Sequence, residues 1–283
     1  MGRHVVRRAP LRVRIAAGLL LLLVLMCTVG PTLFDRNPTT IGDVLAQRFS
    51  APLRADGSGH WHLFGTDAFG RDVLARLLLA GRLSLLVGVA GALLSGVLGA
   101  ALGALAGWMA GPVDTAITAL SDTLQAVPRL VLLLACAALW RPGIPTLLTV
   151  LALTGWMGVA RLVRTEVRGL IDRDFVAAAR TLGARPRRVL GRHVIPNAIA
   201  PALVATTLAI GNAILLESGL SFLGLGVQPP APSWGNMIAG GREHLVTAPW
   251  IALAPGLAVV ITVTTATLIG DWLQEHAAGR AGD

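Results

Sequence analysis

Five long, predominantly apolar stretches of this chain carry no charged residue and few prolines: 15–34, 83–113, 142–160, 194–216 and 247–270. Each reaches or nearly reaches the ~20 predominantly apolar residues that a helix needs to cross a bilayer. Lipid offers no hydrogen-bond partner to a backbone, so a segment of this kind must satisfy its own N–H and C=O groups. A sixth candidate, 114–140, carries Asp114, Asp122 and Arg129 but keeps the apolar block 130–139. The expected fold is therefore all-α: a polytopic membrane protein with six transmembrane helices. Composition agrees, since 54% of the 283 residues are hydrophobic and only 14% are charged, against about 25% charged in soluble domains.

The net charge of +9 comes from 24 Arg and no Lys. In a soluble protein such a charge would suggest nucleic acid. Here the Arg residues cluster in particular loops, and membrane orientation explains them better, so no nucleic-acid partner is expected. Arg3, Arg7, Arg8, Arg12 and Arg14 precede the first apolar run and place the N-terminus in the cytoplasm. That run is longer than a signal-peptide core and lacks an Ala-x-Ala site, so it is expected to be retained as the first span. Six spans then put the C-terminus and the loop 164–196 in the cytoplasm. The loop holds eight Arg against three acids, as a cytoplasmic loop should. Residues 1–79 are expected to form a cytoplasmic tail, the first helix and an outer segment. The transmembrane domain follows over 80–275, with a cytoplasmic tail at 276–283. Cys27 and Cys136 both fall in spans, so no disulfide framework is expected.

The stretch 218–241 is uncharged and long enough to span. Its six Gly and three Pro would leave backbone groups unsatisfied in lipid, so an ordered outer loop is expected instead. In the second span, Gly91, Ser95, Gly99, Gly103 and Gly107 recur every four residues, beside a parallel stripe of Gly88, Ala92, Gly96, Ala100 and Ala104. Such faces let helix backbones approach closely. In the third span, Asp114, Thr118, Ser121, Asp122 and Gln125 share one helical face. That face either lines a translocation path or forms a polar seam between helices. Thr206, Thr207 and Asn212 are weaker path candidates in the fifth span, since helical Thr often bonds its own backbone.

The loop 164–196 carries a short amphipathic segment, Asp174-Phe-Val-Ala-Ala-Ala-Arg-Thr-Leu-Gly183. Asp172 or Asp174 can cap a helix start. Phe175, Ala179 and Leu182 form an apolar stripe, and Gly183 supplies a stop. Arg185-Pro186 then starts a second short helix running to Pro196. The expected product is a bent helix pair on the cytoplasmic face, suited either to a soluble partner or to lipid head groups.

With His193-Val-Ile-Pro-Asn197 after it, this segment resembles the cytoplasmic loop of binding-protein-dependent ABC importer permeases. Their motif is written Glu-Ala-Ala, three residues, Gly. Ala178, Ala179 and Gly183 match; Ala177 stands at the Glu position. His62-Leu-Phe-Gly-Thr-Asp-Ala-Phe-Gly-Arg-Asp-Val-Leu74, Leu220-Ser-Phe-Leu-Gly-Leu-Gly-Val-Gln-Pro-Pro230 and Pro232-Ser-Trp-Gly-Asn-Met237 resemble the dipeptide/oligopeptide/nickel branch, and most closely its second permease subunit. The likeness covers roughly 60–273, and the ending 272–283 departs from it.

The resemblance implies half of a peptide path in an ATP-driven importer, with a nickel or other small-solute importer as the alternative. It implies a homologous permease, two ATPase subunits, an extracytoplasmic substrate-binding protein and membrane lipid as partners. Asp174, Phe175, Ala178, Ala179, Arg180, Leu182 and Gly183 would meet an ATPase. Ser121, Asp122, Gln125, Thr206 and Asn212 would line the path. Glu217, Trp234 and Asn236 would dock the binding protein.

No Gly-x4-Gly-Lys-Ser/Thr loop is present, so ATP and Mg belong to partner subunits and this chain is expected to bind no cofactor and catalyse nothing. Ser221 and His193 fall on opposite sides of the membrane, which excludes a hydrolase built on them. His60 and His62 lack a third metal ligand. An ion-coupled transporter using Asp122 and Glu217 would need paired broken helices that the sequence does not show.

Overall fold

A computed structural model of the chain describes residues 9–33, 41, 44–57 and 59–281. Arg3, Arg7 and Arg8 of the expected N-terminal tail lie outside the described residues. Helix α1 (Leu11–Val29) leads to a short helix α2 (Val44–Gln47) and a two-stranded hairpin, β1 (Arg54–Ala55) and β2 (Trp61–His62). Then come α3 (Val73–Met109), α4 (Gly111–Ala126), α5 (Arg129–Leu139) and α6 (Ile144–Ile171). The short α7 (Asp174–Thr181) and α8 (Pro186–Val189) precede α9 (Ile195–Phe222), α10 (Trp234–Gly241) and α11 (Trp250–Ala281).

Glycine contacts fix the relative directions of the five long helices. Gly91 of α3 lies against Leu151 of α6, Gly99 against Trp156 and Val159, and Gly107 against Arg164 and Val167. Both numbers rise together, so α3 and α6 run parallel. Gly88 meets Ile214 and Gly96 meets Thr206, so α9 runs antiparallel to α3. Gly211 meets Val263 and Gly270 meets Leu208, which makes α11 antiparallel to α9. Gly30 on Leu78 and Gly81 on Cys27 make α1 antiparallel to α3. The start of α1 and the end of α11 therefore emerge at one end of the bundle, together with α7. The hairpin and α10 occupy the other.

The parallel pair also decides the third crossing. Since α3 and α6 run the same way, the chain between them must return across the bundle. It does so as α4 and α5, which meet at 94°, so the third span is broken where a continuous helix was expected. Pro128 lacks an N–H and holds Val127 in an extended conformation (φ −90°, ψ 131°), which ends α4.

The two small-residue stripes of α3 serve different neighbours. A Cβ on Gly99, Gly103 or Gly107 would strike the backbone of α6. Gly88 and Gly96 accept α9 instead. The helices approach closely there because no side chain stands between them.

Candidate functional site

At one end of the bundle, α7 is held by a single fully buried side chain, Val176. It packs in one apolar cluster with Val163, Val167, Val189 and Val194, with Ala179 partly buried beside them. Phe175 is 44% exposed and Leu182 88% exposed. The expected stripe of Phe175, Ala179 and Leu182 is thus divided. Val176, not singled out in the sequence, anchors the helix with Ala179, while Phe175 and Leu182 face outward with Ala178. Arg180 stacks over the Trp108 ring, 5.7 Å from its centroid.

The capping differs from expectation at the start and agrees at the end. Arg173 occupies the N-cap position with no side-chain hydrogen bond, Asp174 is the first helical residue, and Asp172 closes α6. At the stop, Gly183 N–H donates to Arg180 O (2.9 Å) and Ala184 N–H to Ala179 O (3.1 Å). This double closure requires a left-handed residue, and Gly183 has φ +81°. The second arm is not a separate helix. It passes from α8 through a π turn, Leu190–Val194, directly into α9. The wider turn loosens the hydrogen-bond ladder where Pro196 has no N–H to contribute.

The polar face of α4 meets arginines of α6. Asp114 is buried and pairs with both Arg164 and Arg168. Asp122 pairs with Arg161 at 2.7 Å. Gln125 donates to Ser121 Oγ at 2.8 Å. Thr118, Ser121, Asp122, Arg161 and Arg164 line a cleft of about 270 Å³ between α3, α4 and α6. Three of the five path candidates, Ser121, Asp122 and Gln125, are therefore close together. Thr206 and Asn212 are not with them. Thr206 is buried against Gly96 and donates to Ala202 O at 2.8 Å; Asn212 lies on an exposed face of α9.

The docking candidates at the opposite end need correction. Glu217 and Trp234 are each 0% exposed, so neither presents a surface to a partner. Trp234 is inserted into the bundle, where Nε1 donates to Leu77 O and its N–H to Ser84 Oγ, both at 3.1 Å. Asn236 completes a capping box with Ser233 and donates to Ala231 O at 3.0 Å. The sequence showed a Gly- and Pro-rich loop. It could not show that this loop folds back and buries its aromatic residue.

The segment before α3 forms a second ordered cap at that end. His62 is buried between two carboxylates, Asp72 (2.6 Å) and Asp56 (3.2 Å). Asp72 also caps α3 by accepting from Ala75 N–H at 2.8 Å. Trp250 Nε1 donates to Thr66 O at 3.1 Å and joins this segment to α11.

Among the described residues, five helices long and apolar enough to cross a membrane, with the bent pair α4–α5 and a short helix docked at one end, define a polytopic α-helical membrane protein. Residues 99–282 match the family described as the binding-protein-dependent transport system inner membrane component. The oligopeptide transport system permease protein OppC of Bacillus subtilis is 35% identical over 257 residues, 91% of this chain and 82% of that protein. The di/tripeptide transport system permease protein DppC of Pseudomonas aeruginosa is 36% identical over 259 residues, 91% of this chain and 84% of that one. The inward-facing MetNI methionine ABC transporter shares the fold, with a TM-score of 0.55 at 19% identity, over 71% of this chain and 96% of that one. The chain belongs to the family of binding-protein-dependent transport system inner membrane components, and is a multi-pass inner-membrane transport subunit.

Proposed function

We propose that this chain is one permease half of an ATP-driven ABC importer for peptides, supplied by an extracytoplasmic binding protein. The observation that carries the reading is α7, a helix fixed by one buried valine while Phe175 and Leu182 stay open to a partner. A homologous permease would complete the path, and two ATPase subunits would bind and hydrolyse ATP. Closure of the ATPase pair would push on α7 and shift the bundle between two states as rigid bodies. The eight Arg of 164–196 support a cytoplasmic position for α7 and both termini. Peptide as substrate rests on the relatives' substrates. The cleft at Asp122 and Arg161 is the candidate path wall, with both charges more than half exposed.

The test is reconstitution of the chain with its partner permease, ATPases and binding protein in proteoliposomes. ATP-dependent uptake of labelled di- and oligopeptides is expected. Uptake that persists without ATP and collapses with an uncoupler refutes the reading.

A further inference from the structure

Glu217 is a fully buried carboxylate near the end of α9, and its hydrogen-bond partners are serines. Ser221 Oγ donates to Oε1 at 2.7 Å, and Ser218 Oγ to Oε2 at 3.5 Å. The hydroxyls of Ser84 on α3 and Ser233 at the start of α10 also face this carboxylate closely enough to interact with it. Three of these hydroxyls have a second task. Ser221 Oγ accepts Val227 N–H (3.1 Å), Ser84 Oγ accepts Trp234 N–H (3.1 Å), and Ser233 Oγ accepts Asn236 N–H (3.3 Å).

A hydroxyl has one proton and two lone pairs. With a lone pair committed to a backbone N–H, each serine has its proton left to give, and the side-chain oxygens of Glu217 are there to accept it. Glu217 is thus the direct acceptor behind the Ser221–Val227 bond, and it faces the two serines that hold the N–H groups of Trp234 and Asn236. An amide at this position would have the same shape but the wrong polarity. It keeps one acceptor oxygen and sets an N–H₂ donor where the second carboxylate oxygen accepted, so a serine proton on that side loses its acceptor. Close packing reinforces the junction, since a Cβ on Gly235 would strike Ser218 O.

We propose that Glu217 is the positioning residue that joins α10 and the hairpin ends of α3 and α9 into one rigid body during transport. The proposal rests on the importer reading. Opening of the path at this end then carries α10 along with α3 and α9, with no hinge between them.

The test uses the assembled complex in nanodiscs and two readouts: amide hydrogen exchange over 227–236, and the ratio of binding-protein-stimulated to basal ATP hydrolysis. In Glu217→Gln, exchange across 227–236 is expected to accelerate at least tenfold, with α7 unchanged, and the ratio to fall at least fivefold. Glu217→Asp, which restores the acceptors at shorter reach, is expected to recover part of both. Unchanged exchange in Glu217→Gln overturns the proposal. So does accelerated exchange with a wild-type ratio, which would leave Glu217 a local structural bond only. If Glu217→Gln does not assemble, Ser84→Ala removes only the arm to α3. Faster exchange at Trp234 with a lowered ratio supports the proposal, and no change in either overturns it. A wild-type complex that shows no ATP-driven uptake refutes the importer reading instead, and the exchange comparison still reports on the serine network.

Discussion

Gly183→Val isolates the contribution of backbone conformation to coupling. The residue has φ +81° and no neighbouring heavy atom within 4 Å of the position a Cβ would take. The added side chain therefore meets no obstacle, and its cost comes from the backbone alone. An L-residue in the left-handed region costs about 1–2 kcal/mol, and a β-branched one lies at the upper end. At 1.4 kcal/mol per tenfold, that lowers the population of the closed stop by about 5–30-fold. α7 has only eight residues, too few for an isolated helix to persist, so the stop and Val176 together hold it. The assay is binding-protein-stimulated ATP hydrolysis in the assembled complex, relative to basal hydrolysis. The expected order is Gly183 above Gly183→Asn, then Gly183→Ala, then Gly183→Val, because Asn tolerates this conformation best after Gly. Full stimulated hydrolysis in Gly183→Val would show that the shape of this stop does not carry the coupling.

Val176→Ala removes two buried methyl groups, worth about 2 kcal/mol at ~0.8 kcal/mol per buried carbon. Limited proteolysis between 172 and 186 should accelerate by at least tenfold; an unchanged rate would mean that α7 is anchored elsewhere. Gly103→Ala places a Cβ 2.9 Å from both Ala160 Cα and Val163 Cβ and should destabilise the α3–α6 contact by about 1–3 kcal/mol. Gly169→Ala, where the space is open, should leave the thermal midpoint level or raise it through helix propensity. Equal midpoints for the two variants would contradict the packing described. Asp114→Ala strands Arg164 and Arg168 beside each other, whereas Asp122→Ala breaks an ion pair with both partners more than half exposed. The midpoint should fall clearly in the first and little in the second, and the reverse ranking would refute this account of the seam.

Long apolar runs made the crossings legible because lipid leaves a spanning backbone few alternatives. The second span, α3, could be placed in the bundle interior from its four-residue spacing of small side chains. The break in the third span was also written in the sequence, at Pro128. It was missed because the apolar block after it suggested a continuous helix. The arginines opposite Asp114 and Asp122 belong to α6, so nothing local to α4 named them. Glu217 and Trp234 were misplaced for the same reason. Their burial depends on Ser84 and Leu77, and Ser84 lies 150 positions from Trp234. In α7, the periodic stripe identified an amphipathic helix but not which of two adjacent apolar residues would face inward. Val176 won because a cluster of valines from three other segments was there to receive it.

Helix α3 is 37 residues long, a rod of about 55 Å at 1.5 Å per residue. Trp108, one residue from its end, lies beneath Arg180 of α7. Leu77 and Ser84, near its beginning, hold Trp234 of α10. Both ends of the subunit therefore grip the same lever arm. A tilt of about 5° with one end fixed would swing the other through about 5 Å along a rod of this length, enough to widen or close a passage without bending any helix.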